Sequence, residues 1–461
     1  MISRLGLIVS NTIGRCVPDP FVLALGLTVL TALLAMVFVM SGQDQKPTEF
    51  TEVLGAWWNG GIWIFLKFGM QMCLILVTGF ALASSKPIRW CIERIASIPR
   101  DTASAAALIA LVAMGAGLIN WGLGLIVGAL LASTCAEFLG RRGVRVHYPL
   151  ICAAGYTGML TWHGGLSGSA PLKMTKMEEI AGILPAEVIA TLGVEPVPLQ
   201  ATIFSNLNLF VTIGMLVLVP LTLFLLAPAR ESEIRTATDL DIRRNEDEDE
   251  NKDIPDRDGI VAMVLNGIVA CGLLVGMVVY LLQSGGLGRL GPNEVNATML
   301  GLGMLFHGSP RRYLHAVEKS ARGCAGIILQ FPFYAGIMAL LSASGLALWL
   351  AETTSQNATV TSLPIMTFLS AGVVNFFVPS GGGQWGIQGP IALEAGASVG
   401  VPASKMIMSV AYGDELTNML QPFWAIPLLA ITGIKAREIV GYTALVMIVA
   451  GAWMTIGLLA F

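Results

Sequence analysis

The chain has 461 residues, 55% of them hydrophobic and only 12% charged, with a formal net charge of −3. A soluble domain carries about 25% charged residues because its surface must face water, so a soluble globular fold is excluded. The net charge says little about partners, since the charges are segregated by loop.

A hydrocarbon core of ~30 Å needs about 20 apolar residues per helix. The stretches 21–40, 260–282 and 442–461 reach that length and do not alternate apolar with polar residues as barrel strands do. The chain is therefore predicted to be an all-α membrane protein. Arg4 and Arg15 precede the first apolar run without a small-residue cleavage site, so the start reads as a retained leader to the first span. The seven cysteines stand singly with no CxxC pair, which points to free thiols and not to a disulfide framework or zinc site.

Lys and Arg in short loops mark the cytoplasmic side. Most of the 27 fall in six clusters: Arg4 with Arg15, then 86–100, 141–145, 230–257 and 311–322, then Lys435 with Arg437. All six lie on one side if the chain crosses an even number of times between them. Spans 20–42 and 60–84 form one pair, and 102–119 and 121–139 the next. The stretch 148–229 then starts and ends inside. Spans 259–283 and 296–307 follow, the latter short for a crossing, and 323–350 with a broken 361–434 region completes the pairs. The last helix, 440–461, is left to end outside. The N-terminus is thus expected in the cytoplasm and the C-terminus in the periplasm. The polar loop 231–258 contains Glu246-Asp247-Glu248-Asp249-Glu250, which repels itself and cannot bury a core. It is expected to be a solvated linker.

The two halves resemble one another. Gly79, Asn120-Trp121-Gly122 and Gly155-Tyr156 in the first correspond to Gly336, Asn375-Phe376-Phe377 and Ala411-Tyr412-Gly413 in the second. Asn120 precedes Tyr156 by 36 residues, and Asn375 precedes Tyr412 by 37. The charge-derived topology runs the matching spans in opposite directions. The expected organisation is a first repeat over 1–229, a linker over 230–258, a connecting helix over 259–283 and an inverted second repeat over 284–461. Inverted repeats with interrupted helices mark secondary transporters, whose sites lie where the helices break.

Two glycine- and proline-rich stretches, 161–171 and 379–390, are predicted to interrupt their helices. Irregular backbone at membrane depth is tolerated only inside protein or against a water-filled cavity. Free N–H groups at a half-helix start attract an anion, and glycine lets the backbone approach it. Asn120, Ser167, Ser169, Asn375, Ser380, Gly381, Gly382, Gly383, Gln384 and Gln388 are the predicted substrate-binding residues, with an apolar tail against Trp162, Trp385 or Phe377. Neither stretch contains Lys or Arg, so the carboxylate is expected to bind without a buried cation.

Ionisable residues inside a membrane are costly and usually functional. Asp414 and Glu415 lie between two apolar stretches, and Asn418 and Gln421 follow at helical spacing. These four are the predicted coupling-ion group, able to carry a proton or bind Na⁺. His163, inside the first interruption, reads equally as a packing donor or a proton carrier. No metal site or other cofactor is expected. The chain is not expected to be an enzyme, since it has no Walker lysine, no H-E-x-x-H and no nucleophile elbow in a soluble setting. A channel for small anions is the alternative to a transporter.

The strings Phe68-Gly69-Met70-Gln71-Met72, Asn120-Trp121-Gly122, Gln330-Phe331-Pro332-Phe333-Tyr334-Ala335-Gly336, Pro379-Ser380-Gly381-Gly382-Gly383 and Gln421-Pro422-Phe423-Trp424-Ala425 carry a resemblance. Over nearly the whole chain they resemble the bacterial short-chain fatty acid transporter family. That resemblance implies uptake of butyrate, acetoacetate and related monocarboxylates across the inner membrane. It also implies ion coupling, two inverted repeats, re-entrant hairpins and an elevator-type homodimer. The partners expected are the acid, membrane lipid and a second copy of the chain, with no nucleic acid. His163 and the acidic run at 246–250 depart from the family pattern.

Overall fold

With no water in the hydrocarbon core, backbone polar groups must be satisfied within the protein, and a helix does this within one segment. The computed structural model describes residues 6–8, 12, 18–40, 50–63, 66–181, 189, 194–242, 259–284, 292–346, 349 and 358–461. Among these residues every regular element is helical. In chain order the α-helices are α1 (Pro20–Met40), α2 (Phe50–Ala56), α3 (Leu66–Ser84), α4 (Lys86–Ala96), α5 (Thr102–Ile119), α6 (Trp121–Arg141) and α7 (Tyr148–Tyr156). Next come α8 (Ser169–Lys173), α9 (Met177–Ala181), α10 (Asn206–Leu226), α11 (Ile260–Ser284), α12 (Pro292–His307), α13 (Pro310–Ala321) and α14 (Ala325–Ala343). The last five are α15 (Ser362–Phe377), α16 (Gly381–Val399), α17 (Ala403–Thr417), α18 (Pro422–Thr432) and α19 (Ala436–Ala460). Eight of them, α1, α3, α5, α6, α10, α11, α14 and α19, are long and apolar enough to cross a bilayer.

Helix starts follow their local chemistry. Asp101 and Ser104 form a capping box ahead of α5. Asn120 ends α5 and caps α6, its Oδ1 accepting from the Gly122 and Leu123 amides at 2.9 and 3.3 Å. α4, α7 and α18 each carry proline in the first turn, where its missing N–H costs nothing. The 16-residue α12, short for a crossing, packs on α3 and α11.

Close backbone approach shapes the centre. Gly128 of α6 and Gly155 of α7 face each other so tightly that a Cβ on Gly155 would fall 2.5 Å from the Gly128 carbonyl oxygen. In the other half α15 and α17 form the most extensive helix pair, with Gly413 against the Phe368 carbonyl. Without a hydrophobic force between helices in lipid, such packing of small residues supplies the association.

The interruptions differ in place from their predicted extents. The first begins earlier, with a 3₁₀ turn at Thr157–Leu160, and lasts until α8 starts at Ser169. The second is narrower: only Val378–Ser380 is non-helical, and α16 runs through Pro390. The Ser380 hydroxyl caps it by accepting from the Gly383 amide at 3.3 Å. Small, exposed Gly386 sits four residues before Pro390, where the ring would press on the preceding turn. A third interruption lies where a continuous helical stripe was predicted. α17 ends at Thr417, residues Asn418–Leu420 form a 3₁₀ turn, and α18 starts at Pro422 after an extended Gln421.

The opening of the predicted solvated linker is also held in place. The Arg235 amide donates to His147 Nδ1 at 3.0 Å, its carbonyl accepts from Tyr148, and its guanidinium pairs with Glu438 at 2.6 Å. Arg145 donates to the Ile234 carbonyl and the Asp239 carboxylate. The acidic run 246–250, Arg4 and Arg15 lie outside the described residues.

Candidate functional site

The first interruption turns beneath α17 because Glu415 pulls it there. Glu415 Oε2 accepts from the His163 amide at 2.9 Å and the Gly164 amide at 3.3 Å. The Gly164 carbonyl in turn accepts from Asn208 Nδ2 of α10, whose Oδ1 accepts from the Tyr412 hydroxyl at 3.0 Å. His163 therefore reaches Asp414, its Nδ1 lying 3.1 Å from Oδ2 without the alignment of a hydrogen bond. The imidazole stacks on Trp162, with centroids 4.3 Å apart.

Asp414 and Glu415 are 1% and 0% exposed. Both Asp414 oxygens and Glu415 Oε1 have no hydrogen-bond partner, and among the described residues no Lys or Arg pairs with either acid. Burying a charge unpaired costs several kcal/mol.

Next to this pair stands a second polar cluster. Asn375 Nδ2 faces the Asp414 carbonyl, Thr417 Oγ1 and Asn418 Oδ1 at 2.8 to 3.0 Å. Gln421 Nε2 donates to the Asn375 and Phe376 carbonyls at 3.1 Å. Tyr156, from the first half, places its hydroxyl 2.8 and 2.9 Å from the carbonyls of Asn418 and Gln421. The Asn375 Oδ1, Gln384 Oε1 and Gln421 Oε1 oxygens are buried without a donor. One donor, Asn418 Nδ2, is likewise buried without a partner, so unpaired acceptors outnumber unpaired donors in this cluster.

The predicted substrate residues serve different parts of the structure, Asn375 in the second polar cluster and Ser380 as the cap of α16. Asn120 and Ser167 both serve the start of α6, Ser167 Oγ accepting from the Trp121 amide at 3.1 Å. Gln384 donates to the Ala371 carbonyl and to Gln388, and Gln388 donates to Ser370, so these amides brace α16 against α15. Ser169, Gly381 and Gly382 do converge, whereas Gly383 faces Met338 and Ser380. A Cβ on Gly381 would lie 2.8 Å from Asp414 Oδ2, 2.9 Å from His163 Cε1 and 2.6 Å from the Trp162 ring. One on Gly382 would lie 3.3 Å from Lys173 Nζ and 4.0 Å from Ser169 Oγ. Of the three predicted tail contacts, Trp385 is fully enclosed, and Trp162 carries the imidazole.

Neither interrupted stretch contains a Lys or Arg, but Lys173 stands beside the start of α16. It is half-buried at the end of α8, and among the described residues no acid pairs with it. It stands outside all six basic clusters, a signal present in the sequence. The ammonium and the free amides at the start of α16 together suit a carboxylate.

Comparison with known proteins adds the following. A family model described as short chain fatty acid transporter matches residues 1–461. A protein of Escherichia coli (strain K12), provisionally named a short-chain fatty acid transporter, is 35% identical over 467 residues, covering 100% of both chains. A protein of Haemophilus influenzae with the same provisional name is 34% identical over 465 residues, covering 99% of each. Among solved structures, the Alcanivorax borkumensis YdaH transporter aligns over 96% of this chain and 97% of its own, at 15% identity and a TM-score of 0.42. Neisseria gonorrhoeae MtrF aligns over 98% and 97%, at 14% identity and a TM-score of 0.39.

Proposed function

We propose that this chain, a multi-pass membrane protein that belongs to the short chain fatty acid transporter family, is a secondary transporter coupling uptake of a short monocarboxylate to a cation. Butyrate and acetoacetate are the substrates proposed, the inner membrane the location, and H⁺ or Na⁺ the coupling ion.

One observation carries this reading. Two adjacent, fully buried carboxylates with unpaired oxygens lie among further acceptors that have no donor. Such a cluster is stabilised by a cation or by protons, and it adjoins an anion-attracting helix start beside Lys173. Charge of one sign in the ligand and of the other in the coupling ion can then be held within the same few residues. Asp414 and Glu415 are the proposed ion-binding acids, with Asn375, Asn418 and Gln421 as neutral neighbours. Ser169, Lys173 and Gly381 to Gly383 are the proposed carboxylate contacts. The two halves are proposed to be inverted repeats, moving by an elevator motion in a homodimer, with the N-terminus cytoplasmic and the C-terminus periplasmic.

Uptake of labelled butyrate and acetoacetate into proteoliposomes, with Na⁺ and proton gradients imposed separately, tests the reading. One gradient is expected to drive accumulation. Asp414→Asn is expected to abolish that accumulation while leaving substrate exchange. Wild-type accumulation in Asp414→Asn would remove the assignment, and saturable entry that never exceeds equilibrium would favour a facilitator.

A further inference from the structure

The carboxylate contacts and the ion-binding acids lie on different elements, and one side chain touches both. His163 Nε2 accepts a hydrogen bond from the Ala170 amide of α8 at 3.0 Å. α8 also carries Ser169 and Lys173, the residues that meet Gly382. On its other side the same ring presents Nδ1 to Asp414 Oδ2 at 3.1 Å.

These contacts decide the ring's chemistry. A nitrogen that accepts a hydrogen bond carries no proton, so the Ala170 amide leaves the imidazole proton on Nδ1. The ring is then uncharged, its Nδ1 proton lies on the side of Asp414 without the alignment of a hydrogen bond, and the contact is no ion pair. Neither Asp414 oxygen is taken up by a hydrogen bond, so both are open to a cation or a proton. The ring is also restrained from turning. Its backbone amide is tied to Glu415 at 2.9 Å, and its face is stacked on Trp162.

We infer that His163 is the positioning residue that links substrate binding to ion binding, an inference that rests on the coupled-transport reading above. An anion drawn in between α8 and the start of α16 shifts the Ala170 amide. A rigid ring held at Nε2 passes that shift to Nδ1, and so to the oxygen that faces the cation. Linkage is reciprocal, so cation binding at Asp414 must alter substrate affinity by the same factor.

Two substitutions each cut one half of the link. His163→Asn can keep an N–H where Nδ1 stood but has nothing to reach Ala170. His163→Gln can reach Ala170 with an acceptor but withdraws the N–H from beside Asp414. Butyrate affinity is measured for the full chain in proteoliposomes, with NaCl against choline chloride and at two pH values. In the wild type the effective cation is expected to change butyrate affinity about fivefold or more, the usual lower range of coupling. In both variants that dependence is expected to fall to within about twofold, while uptake down a butyrate gradient persists. A residue that merely packs would alter expression or thermal stability and leave the cation dependence intact. A folded variant of either kind that keeps the full dependence overturns the inference alone. A wild type whose butyrate affinity ignores both Na⁺ and pH overturns the coupled-transport reading, and the inference with it. Because the variants cut different contacts, one folded variant is enough to decide.

Discussion

The chain breaks between two helices at Asn120 in the first half and just after Asn375 in the second, yet the two breaks are built differently. Around Asn120 the polar atoms named above find local partners: the asparagine and Ser167 cap α6, and glycine backbones of α6 and α7 meet face to face. Around Asn375 the Asn375 and Gln421 amide nitrogens are bonded, but Asn418 Nδ2 has no acceptor, and Asn375 Oδ1, Gln421 Oε1 and the Asp414 carboxylate are buried without donors. Buried polar groups are normally satisfied, and those that are not call for an explanation such as an ion. The difference teaches that similar segments divide the work. One half supplies a rigid frame, and the other carries the unbalanced charge, with His163 reaching across between them.

The most damaging change should be to the frame. Gly155→Ala drives a Cβ to 2.5 Å from the Gly128 carbonyl oxygen, backbone against backbone, with no side chain to give way. A loss of roughly 4 kcal/mol or more is expected, at the severe end for single substitutions. Thermal unfolding in detergent checks it, and a variant with wild-type stability would show that the frame is no more rigid than the site.

A smaller and more selective effect is expected on the charged side. Lys173→Met keeps an unbranched side chain one atom shorter and removes its charge. A lost hydrogen bond to a charged group costs about 1.5–3 kcal/mol, or roughly tenfold to a hundredfold in affinity. The KM for butyrate is expected to rise by that factor with stability near wild type. An unchanged KM would detach Lys173 from the carboxylate and return the anion to the neutral donors alone.

The mildest effect concerns neither interruption but the segment that follows α10. The Thr236 amide, and then its hydroxyl, hold the Asp239 carboxyl below its usual value of 3.8, with Arg145 adding to the same direction. A lowered folded value means that this contribution is present above the usual value and is lost as pH falls through the folded one. Amide-exchange protection over residues 231–242 is therefore expected to weaken in acid below about pH 4. Asp239→Asn is expected to show part of that weakening already at neutral pH. Equal protection in the variant would show that Arg235, through Glu438 and His147, holds the segment without it.

Much of the architecture was legible in the order of residues. Hydropathy is a local property, so α1, α3, α5, α6, α11 and α19 follow from composition, and glycine and proline mark where helices stop. Asp414 and Glu415 stood out for the same local reason, as acids between apolar stretches. Their surroundings did not follow. Asn418 and Gln421 share a helical spacing with Asp414, but the helix ends at Thr417, and their arrangement comes from Asn375 and Tyr156 instead. Gln384 and Gln388 look like free donors in sequence, and packing against α15 occupies both. Only the fold brings His163 to Asp414 and Lys173 to Gly382, across separations of more than two hundred residues. Spacing along a chain governs what one helix can present, whereas contacts between distant helices depend on how closely their backbones approach, and here glycine decides that.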